Sequence, residues 1–373
     1  MFRYVERTKS MTTNLPTTQT FDHLVYLRVF EGCNLHCKHC FIPSNPKKME
    51  MDLLAKVPDI LAERVPLGST ILLQWHGGEP TLLGASFLKQ ALETIEKDSR
   101  FQWKHGIQTN LITYNHDWAA IYKEHFDAEV GVSWDEQIRT IPSGPEELRF
   151  KKFEEKFWPQ FQQLLKDGLK PYLIVTGTRI FFERFSNPME WFELMTKRGV
   201  THAHIERLTK TGYARKTWEE IGLTNLEYSQ YMSRWYKAYK LWNETNPDNR
   251  IALSPFDGLE ISVKELKTTD IGYGCWSGSC DTRFHTIDAN GYKAGCTALT
   301  SEEDNPRHQG EVVIQFVKSH KDFVSAREKR QAPCENCTFR PICNTGCLAT
   351  DKMDESGECS GAYKLFDTIK KFA

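Results

Sequence analysis

The chain has 373 residues, 40% hydrophobic and 26% charged, with a formal net charge of −1 at pH 7. That is ordinary globular composition with ample material for a large buried core. The near-neutral balance gives no global field for nucleic acid or an anionic membrane, and no run approaches the ~18 apolar residues of a spanning helix.

Residues 1–21 read as a charged, Thr-rich arm without the apolar stretch of a secretory signal, and Met11 is an alternative start. The expected location is therefore the cytoplasm. From residue 22 to 210, short apolar runs alternate with amphipathic stretches. Strands are expected at 24–30, 70–75, 105–109, 129–133, 171–176 and 202–208, and helices at 52–65, 84–97, 115–125, 147–167 and 188–198. Alternation of this kind gives right-handed βαβ units and a parallel sheet. Six units are too few for a closed eight-stranded barrel, so the expected fold is α/β, a partial TIM-like (β/α)6 barrel. A helical bridge over 211–269 comes next, centred on 225–242, where Tyr228, Tyr231, Trp235 and Tyr239 recur at spacings of three and four. That stripe reads as a packed face, with substrate contact as the lesser alternative. Residues 270–360 turn to Gly, Cys and short polar turns, the texture of a region held by metal rather than by apolar core. A closing helix is expected within 361–373.

Eleven cysteines need an account: three within 33–40, none between 41 and 274, and eight from Cys275 onward. Cytosolic thiols stay reduced and an odd count disfavours full pairing, so metal or cluster binding is the default. Cys33-x3-Cys37-x2-Cys40 directly follows the first expected strand, where barrel active sites belong. A zinc ion would want a fourth ligand, with His36 or His39 as the nearby candidates. A [4Fe–4S] cluster takes four ligands, so three cysteines leave one iron open to a small molecule.

This spacing resembles the signature of radical SAM enzymes. The resemblance implies S-adenosylmethionine (SAM) on the open iron and reductive cleavage of its C5′–S bond. It is strengthened by Gln74-Trp75-His76-Gly77-Gly78-Glu79-Pro80 at the end of the second expected strand. Its two glycines permit close backbone approach to a ligand, and Pro80 ends the pairing. Gly77, Gly78, Glu79 and Pro80 are similar to the family turn that contacts the SAM amino group. Gln108, Asn110 and Ser133 stand where relatives carry polar residues toward SAM, and Arg139 or Arg149 is the candidate carboxylate partner. The usual Ser-x-Asp-Gly is Ser133-Trp134-Asp135-Glu136 here.

The tail pattern, Cys275, Cys280-x10-Gly291-x4-Cys296, Cys334-x2-Cys337-x5-Cys343-x3-Cys347 and Cys359, resembles the SPASM domain of radical SAM enzymes that modify peptides. Eight thiolates would serve two tetrahedral zinc sites equally well by number. The resemblance instead implies two fully ligated auxiliary [4Fe–4S] clusters, one on Cys275, Cys280, Cys296 and Cys347, the other on Cys334, Cys337, Cys343 and Cys359. The cofactor set is then SAM and three clusters.

Auxiliary clusters can carry away the electron left by an oxidative reaction. The family resemblance extends to anaerobic sulfatase maturases, which make formylglycine, and to maturases that crosslink ribosomally made peptides into three-residue cyclophanes. The sulfatase maturases carry an Asp after the cysteine equivalent to Cys296. Thr297 stands there, and a hydroxyl of ordinary acidity cannot replace a carboxylate base. Peptide crosslinking is therefore the leading expectation, with Asp281, Glu206 and Asp135 as candidate bases. Expected partners are a precursor peptide and a low-potential donor such as flavodoxin or ferredoxin. The residues before the first strand are too few for a leader-recognition domain, so the peptide is expected at the barrel mouth, on 211–265 or through a separate partner. The non-catalytic alternative is an iron–sulfur electron-transfer or zinc-binding module, which would need neither the open cluster nor the Gly-Gly-Glu-Pro turn.

Overall fold

The computed structural model describes residues 21–42, 47–266, 273–300 and 319–372; most of the N-terminal arm, Met11 and the 269/270 boundary lie outside them. Among the described residues eleven strands run in chain order: β1 His23–Phe30, β2 His36–Cys37, β3 Thr70–Gly77, β4 Gln102–Thr109, β5 Glu129–Ser133, β6 Arg139–Thr140, β7 Lys170–Gly177, β8 His202–Arg207, β9 Ala252–Ser254, β10 Phe284–Asp288 and β11 Gly291–Ala294. The six strands expected from the sequence are β1, β3, β4, β5, β7 and β8. They lie side by side in that order and pair in parallel. This is the expected partial barrel.

The sheet extends further than the sequence suggested, to nine strands in the order β11-β10-β1-β3-β4-β5-β7-β8-β9. Strand β9 adds in parallel beside β8, and β10 adds in parallel beside β1, with Leu24 opposite Phe284. The cysteine-rich tail thus contributes a hairpin to the barrel's own sheet. Gly291 of the tail motif closes that hairpin with φ +110, a backbone state that disfavours any residue with a Cβ.

Alternation along each strand sorts the side chains onto two faces. One face packs against the helices: Val25, Leu27, Val29, Ile71, Leu73, Trp75, Val130, Val132, Leu173, Val175 and Ile205 are all buried in one core. The opposite face carries Tyr26, Gln74, Gln108, Ser133, Tyr172, His204 and Glu206. Room for these long side chains is made at Gly106, where an added Cβ would lie 2.5 Å from Gln74 Oε1. A lumen lined by polar groups is what a reaction chamber requires.

Helices form where expected, with one break. The stretch 52–65 divides into Met51–Ala55 and Val57–Ala62 because Pro58 cannot donate a helical hydrogen bond. The aromatic bridge forms one helix, Asn225–Thr245, opened by a reciprocal Thr224/Glu227 capping box. Its stripe is a packed face: Trp235 lies 4.9 Å from Phe181 and 5.4 Å from Trp191, and Tyr231 stacks on Phe182 at 4.8 Å. Among the described residues no helix is long and apolar enough to cross a membrane.

Candidate active site

The first cysteine loop leaves the C-terminal end of β1 and is pinned by a two-stranded ribbon. Strand β2 pairs with β6, setting Cys37 opposite Arg139 and His36 opposite Thr140. Lys38 N donates to Ile138 O at 3.0 Å, and Thr140 Oγ1 to His36 O at 2.7 Å. The ribbon holds three thiols near one another: Cys37 feels repulsion from both Cys33 and Cys40, Cys33 feels it from Cys40, and Cys33 and Cys37 are each drawn to Arg139. Desolvation pushes the Cys33 thiol up to about 11 and the buried Cys37 thiol higher still.

Neither histidine of the loop completes a zinc site. His36 is engaged edge-on with Tyr213 at 5.4 Å, and His39 Nε2 sits 3.4 Å from Asp135 Oδ2. Among the described residues no three His, Cys, Asp or Glu side chains converge on a single metal ion. Ligands of one tetrahedral zinc would lie roughly 3.8 Å apart around bonds of ~2.3 Å. Two buried ring nitrogens beside the loop, His39 Nδ1 and His76 Nδ1, have no hydrogen-bond partner in the chain, as a site awaiting a polar ligand would show. Burial holds both imidazoles neutral, at about 4.

The Gly-Gly-Glu-Pro turn braces this loop from below. An added Cβ at Gly77 would lie 2.1 Å from Phe30 O, and one at Gly78 2.4 Å from Gly32 O. Both glycines are therefore required by chain-to-chain contact, in addition to any approach to a ligand. Gly78 N donates to Phe30 O and Glu79 N to Gly32 O, at 2.8 and 2.9 Å. The Glu79 carboxylate, 1% exposed, accepts from Thr81 N, Thr81 Oγ1, Thr109 Oγ1 and Asn110 N. It ties the β3 turn to the end of β4, and Pro80 opens the short 3-10 turn Pro80–Leu83.

The other residues expected at SAM divide into two groups. Gln108 Nε2 donates to Ser133 Oγ at 3.1 Å, and Asn110 Nδ2 lies 3.8 Å from Cys33 Sγ and 2.7 Å from Asn34 Oδ1. Arg139 is beside the thiols, while Arg149 donates to Gly144 O and contacts none of the cysteines. Of the two candidate arginines, the fold brings Arg139 to the loop. Asp135, also buried, receives Arg139 Nε at 2.8 Å and Nη2 at 2.6 Å on one oxygen and Thr176 N at 2.5 Å on the other.

The tail thiols fall into two sets. Cys275 and Cys280 each feel both Cys296 and Cys347, and Cys296 feels Cys347. The proximity of Cys275 and Cys347 raises the Cys275 thiol well above its usual range and lowers that of Cys347. The second set is Cys334, Cys337, Cys343 and Cys359, with the buried Cys343 pushed up to about 12. Asp281 is clamped by Arg327, whose Nη2 donates to its Oδ1 at 2.8 Å and whose Nε reaches its other oxygen. Glu206 differs from both aspartates. Its carboxylate is half exposed, bonded to His204 Nε2 at 2.9 Å, and its charge is felt by Tyr26, Tyr172, Tyr228, Cys275, Cys296 and Cys347.

Some residues of this site escaped the sequence reading. Tyr26 reaches His76 edge-on at 6.0 Å, and Phe41 stacks on His76 at 6.2 Å. Arg207, at the end of β8, draws down Cys347. His76 lies inside the Gly-Gly-Glu-Pro stretch, a usable signal; Tyr26 and Arg207 carried none beyond their positions on strands.

A family model described as the radical SAM superfamily matches residues 27–136. A cysteine-type anaerobic sulfatase-maturating enzyme of Clostridium novyi is 24% identical over 330 residues, 85% of each chain. A serine-type anaerobic sulfatase-maturating enzyme of Klebsiella aerogenes is 28% identical over 361 residues, 93% of this chain and 85% of that one. Among solved structures, native anSMEcpe with bound AdoMet and Cp18Cys peptide superposes with a TM-score of 0.68 at 18% identity, covering 94% of this chain and 96% of that one. SuiB of Streptococcus suis bound to precursor peptide SuiA gives 0.55 at 13%, covering 88% and 72%. Residues 27–136 contain both the cysteine loop and the Gly-Gly-Glu-Pro turn. The chain is therefore an enzyme whose residues 27–136 match the radical SAM superfamily, in a fold shared with anSMEcpe and SuiB.

Proposed function

We propose that this enzyme oxidatively matures a ribosomally made peptide, joining two side chains by a C–C bond into a three-residue cyclophane. In this reading Cys33, Cys37 and Cys40 hold the SAM-binding [4Fe–4S] cluster, and the two tail sets hold one auxiliary cluster each. With SAM bound there, the first cluster would supply radical abstraction of a hydrogen atom from the substrate. Gln108, Asn110, Ser133 and Arg139 position SAM, and the turn at Gly77, Gly78, Glu79 and Pro80 fixes the loop that holds it. A low-potential donor such as flavodoxin or ferredoxin provides the initiating electron.

The observation that carries the oxidative reading is the place of Glu206. It stands on the polar lumen face at the end of β8 and shares its electrostatic field with three cysteines of one tail set. A substrate that has lost a hydrogen atom must still lose one electron and one proton. Glu206 receives the proton where the electron can leave to that tail set. Asp135 and Asp281 have oxygens already committed to arginines, so they serve as anchors.

Formylglycine formation is a second reading, favoured by the names of the relatives that span most of the chain. Against it stands Thr297, buried at the position where the resemblance calls for an Asp. The test is co-expression with a small precursor encoded beside the enzyme, followed by fragmentation mass spectrometry and hydrazide labelling. Loss of two hydrogens within an aromatic-containing tripeptide, with no aldehyde, supports crosslinking; a hydrazide-reactive aldehyde at Cys or Ser overturns it. Glu206→Gln should cut product about 100-fold or more while 5′-deoxyadenosine still forms. Undiminished product from that variant would remove Glu206 from the base role.

A further inference from the structure

The helix His320–Arg330 sends two arginines, one turn apart, into the cysteine-rich tail. Among the described residues Arg330 donates to backbone: Cys347 O at 2.9 Å, Leu348 O at 3.2 Å and Thr350 O at 2.6 Å. Arg327 does something different. It is 6% exposed, and its guanidinium spreads over Asp281, Asn344 O, Gly346 O at 3.1 Å and Thr345 Oγ1 at 3.4 Å. Its Nη2 also points at Cys280 Sγ, 3.3 Å away. A buried cation donating to sulfur stabilises thiolate character there. The planar fork is held by Asp281 on one edge and by carbonyls on the other, so it cannot swing off the sulfur.

We propose that Arg327 sets the reduction potential of the cluster held by Cys275, Cys280, Cys296 and Cys347, with Asp281 fixing the guanidinium in place. This rests on the cluster assignment under the proposed function. Reduction adds one negative charge to a site that must share it with its thiolate sulfurs. Hydrogen bonds to those sulfurs and nearby buried positive charge favour the reduced state. The effect matters at this set because it is the one facing the chamber. Cys275, Cys296 and Cys347 feel Glu206, and Cys275 and Cys296 also act on Tyr26. The charged neighbours of the other set, Lys352, Arg340 and Glu358, all come from the tail itself. The balance of the step is one electron from the substrate radical to this set, with one proton to Glu206. Arg327 is a positioning residue, since it acts through Cys280 and does not touch substrate.

The test uses full-length protein reconstituted anaerobically, titrated potentiometrically and followed by electron paramagnetic resonance, with iron counted in each sample. Arg327→Gln removes the charge and Arg327→Lys keeps it without the fork. Arg340→Gln, which loses only a bond to Gln331 and faces the other set, is the control. Loss of one charge-assisted bond should change the reduced-to-oxidised ratio of a single cluster about tenfold at fixed poise, ~59 mV for a one-electron couple. The expected result is that drop in Arg327→Gln, a smaller one in Arg327→Lys, and none at that cluster in Arg340→Gln. Full iron content with unchanged potentials in either Arg327 variant overturns the proposal. So does loss of the cluster from both, which would make Arg327 a purely structural clamp. Failure of the cluster assignment itself would be seen separately, as wild-type protein with fewer than about twelve irons.

Discussion

At the scale of single residues, the site depends on acidic groups that look alike in sequence and differ in their surroundings. Asp135, Asp281 and Glu79 are buried and fully engaged, whereas Glu206 opens into the lumen. Glu79 is the most heavily used, with four hydrogen bonds from three residues on two turns. Glu79→Ala would leave buried donors at Thr81 and Asn110 without an acceptor. Each such group costs about 1–3 kcal/mol, so the variant should lose at least ~3 kcal/mol of unfolding free energy in denaturant titration. It should also loosen the cysteine loop that the turn braces. A variant as stable as the parent would show that the turn holds without its carboxylate.

At the scale of elements, two seams connect the barrel to the C-terminal part of the chain. The first is the aromatic face of the helix Asn225–Thr245. Trp235→Ala removes a fully buried indole wedged among Phe181, Phe182 and Trp191 and should cost about 3–5 kcal/mol. A thermal melt shifted by less than about 1 °C would mean the face is not the core it looks like. The second seam is the histidine cluster joining β1, β10 and the helix His320–Arg330. His23 Nδ1 meets His285 Nε2 at 3.0 Å, His285 Nδ1 meets Tyr292 OH at 2.9 Å, and His320 lies edge-on to His285 at 5.0 Å. Burial, with the charges of His320, His23 and Arg64 adding to it, lowers His285 from 6.5 to about 3. The unfolded chain therefore binds the proton first as pH falls. The stabilisation is present above pH 6.5 and is lost progressively between 6.5 and about 3. At 1.36 kcal/mol per pH unit, His285 alone should cost about 2 kcal/mol by pH 5. His285→Gln should flatten the acid limb of stability against pH; an unchanged limb would place the acid sensitivity elsewhere.

At the scale of the whole molecule, the tail is partly barrel and partly metal-held. Strands β10 and β11 belong to the main sheet, while residues 334–360 consist of short turns around five of the cysteines. Regions of the second kind draw their folding free energy from the metal. Iron removal by chelation should therefore expose 334–360 to protease first and leave 284–294 protected, read by mass spectrometry of the fragments. Equal protection of both would show that the turns fold without metal.

The six parallel strands and their helices were legible from the sequence because periodicity in a buried strand is a local property. So were the three-cysteine loop and the Gly-Gly-Glu-Pro turn, whose spacing within a few residues is the chemistry itself. The second role of Gly77 and Gly78, against the backbone of Phe30 and Gly32, was not legible, since it depends on a chain segment some 45 residues earlier in the sequence. Nor was the fate of the acidic candidates. Asp281 is taken by an arginine 46 positions away, and a partner at that distance leaves no mark on either residue's neighbours in sequence. The sequence by itself determined which donor atoms the protein has and which strand ends carry them. Only the tertiary structure decided which carboxylate opens into the lumen, which arginine meets which sulfur, and that the tail's hairpin extends the barrel's sheet. Contacts of that kind are fixed by the packing of distant elements, and no local pattern encodes them.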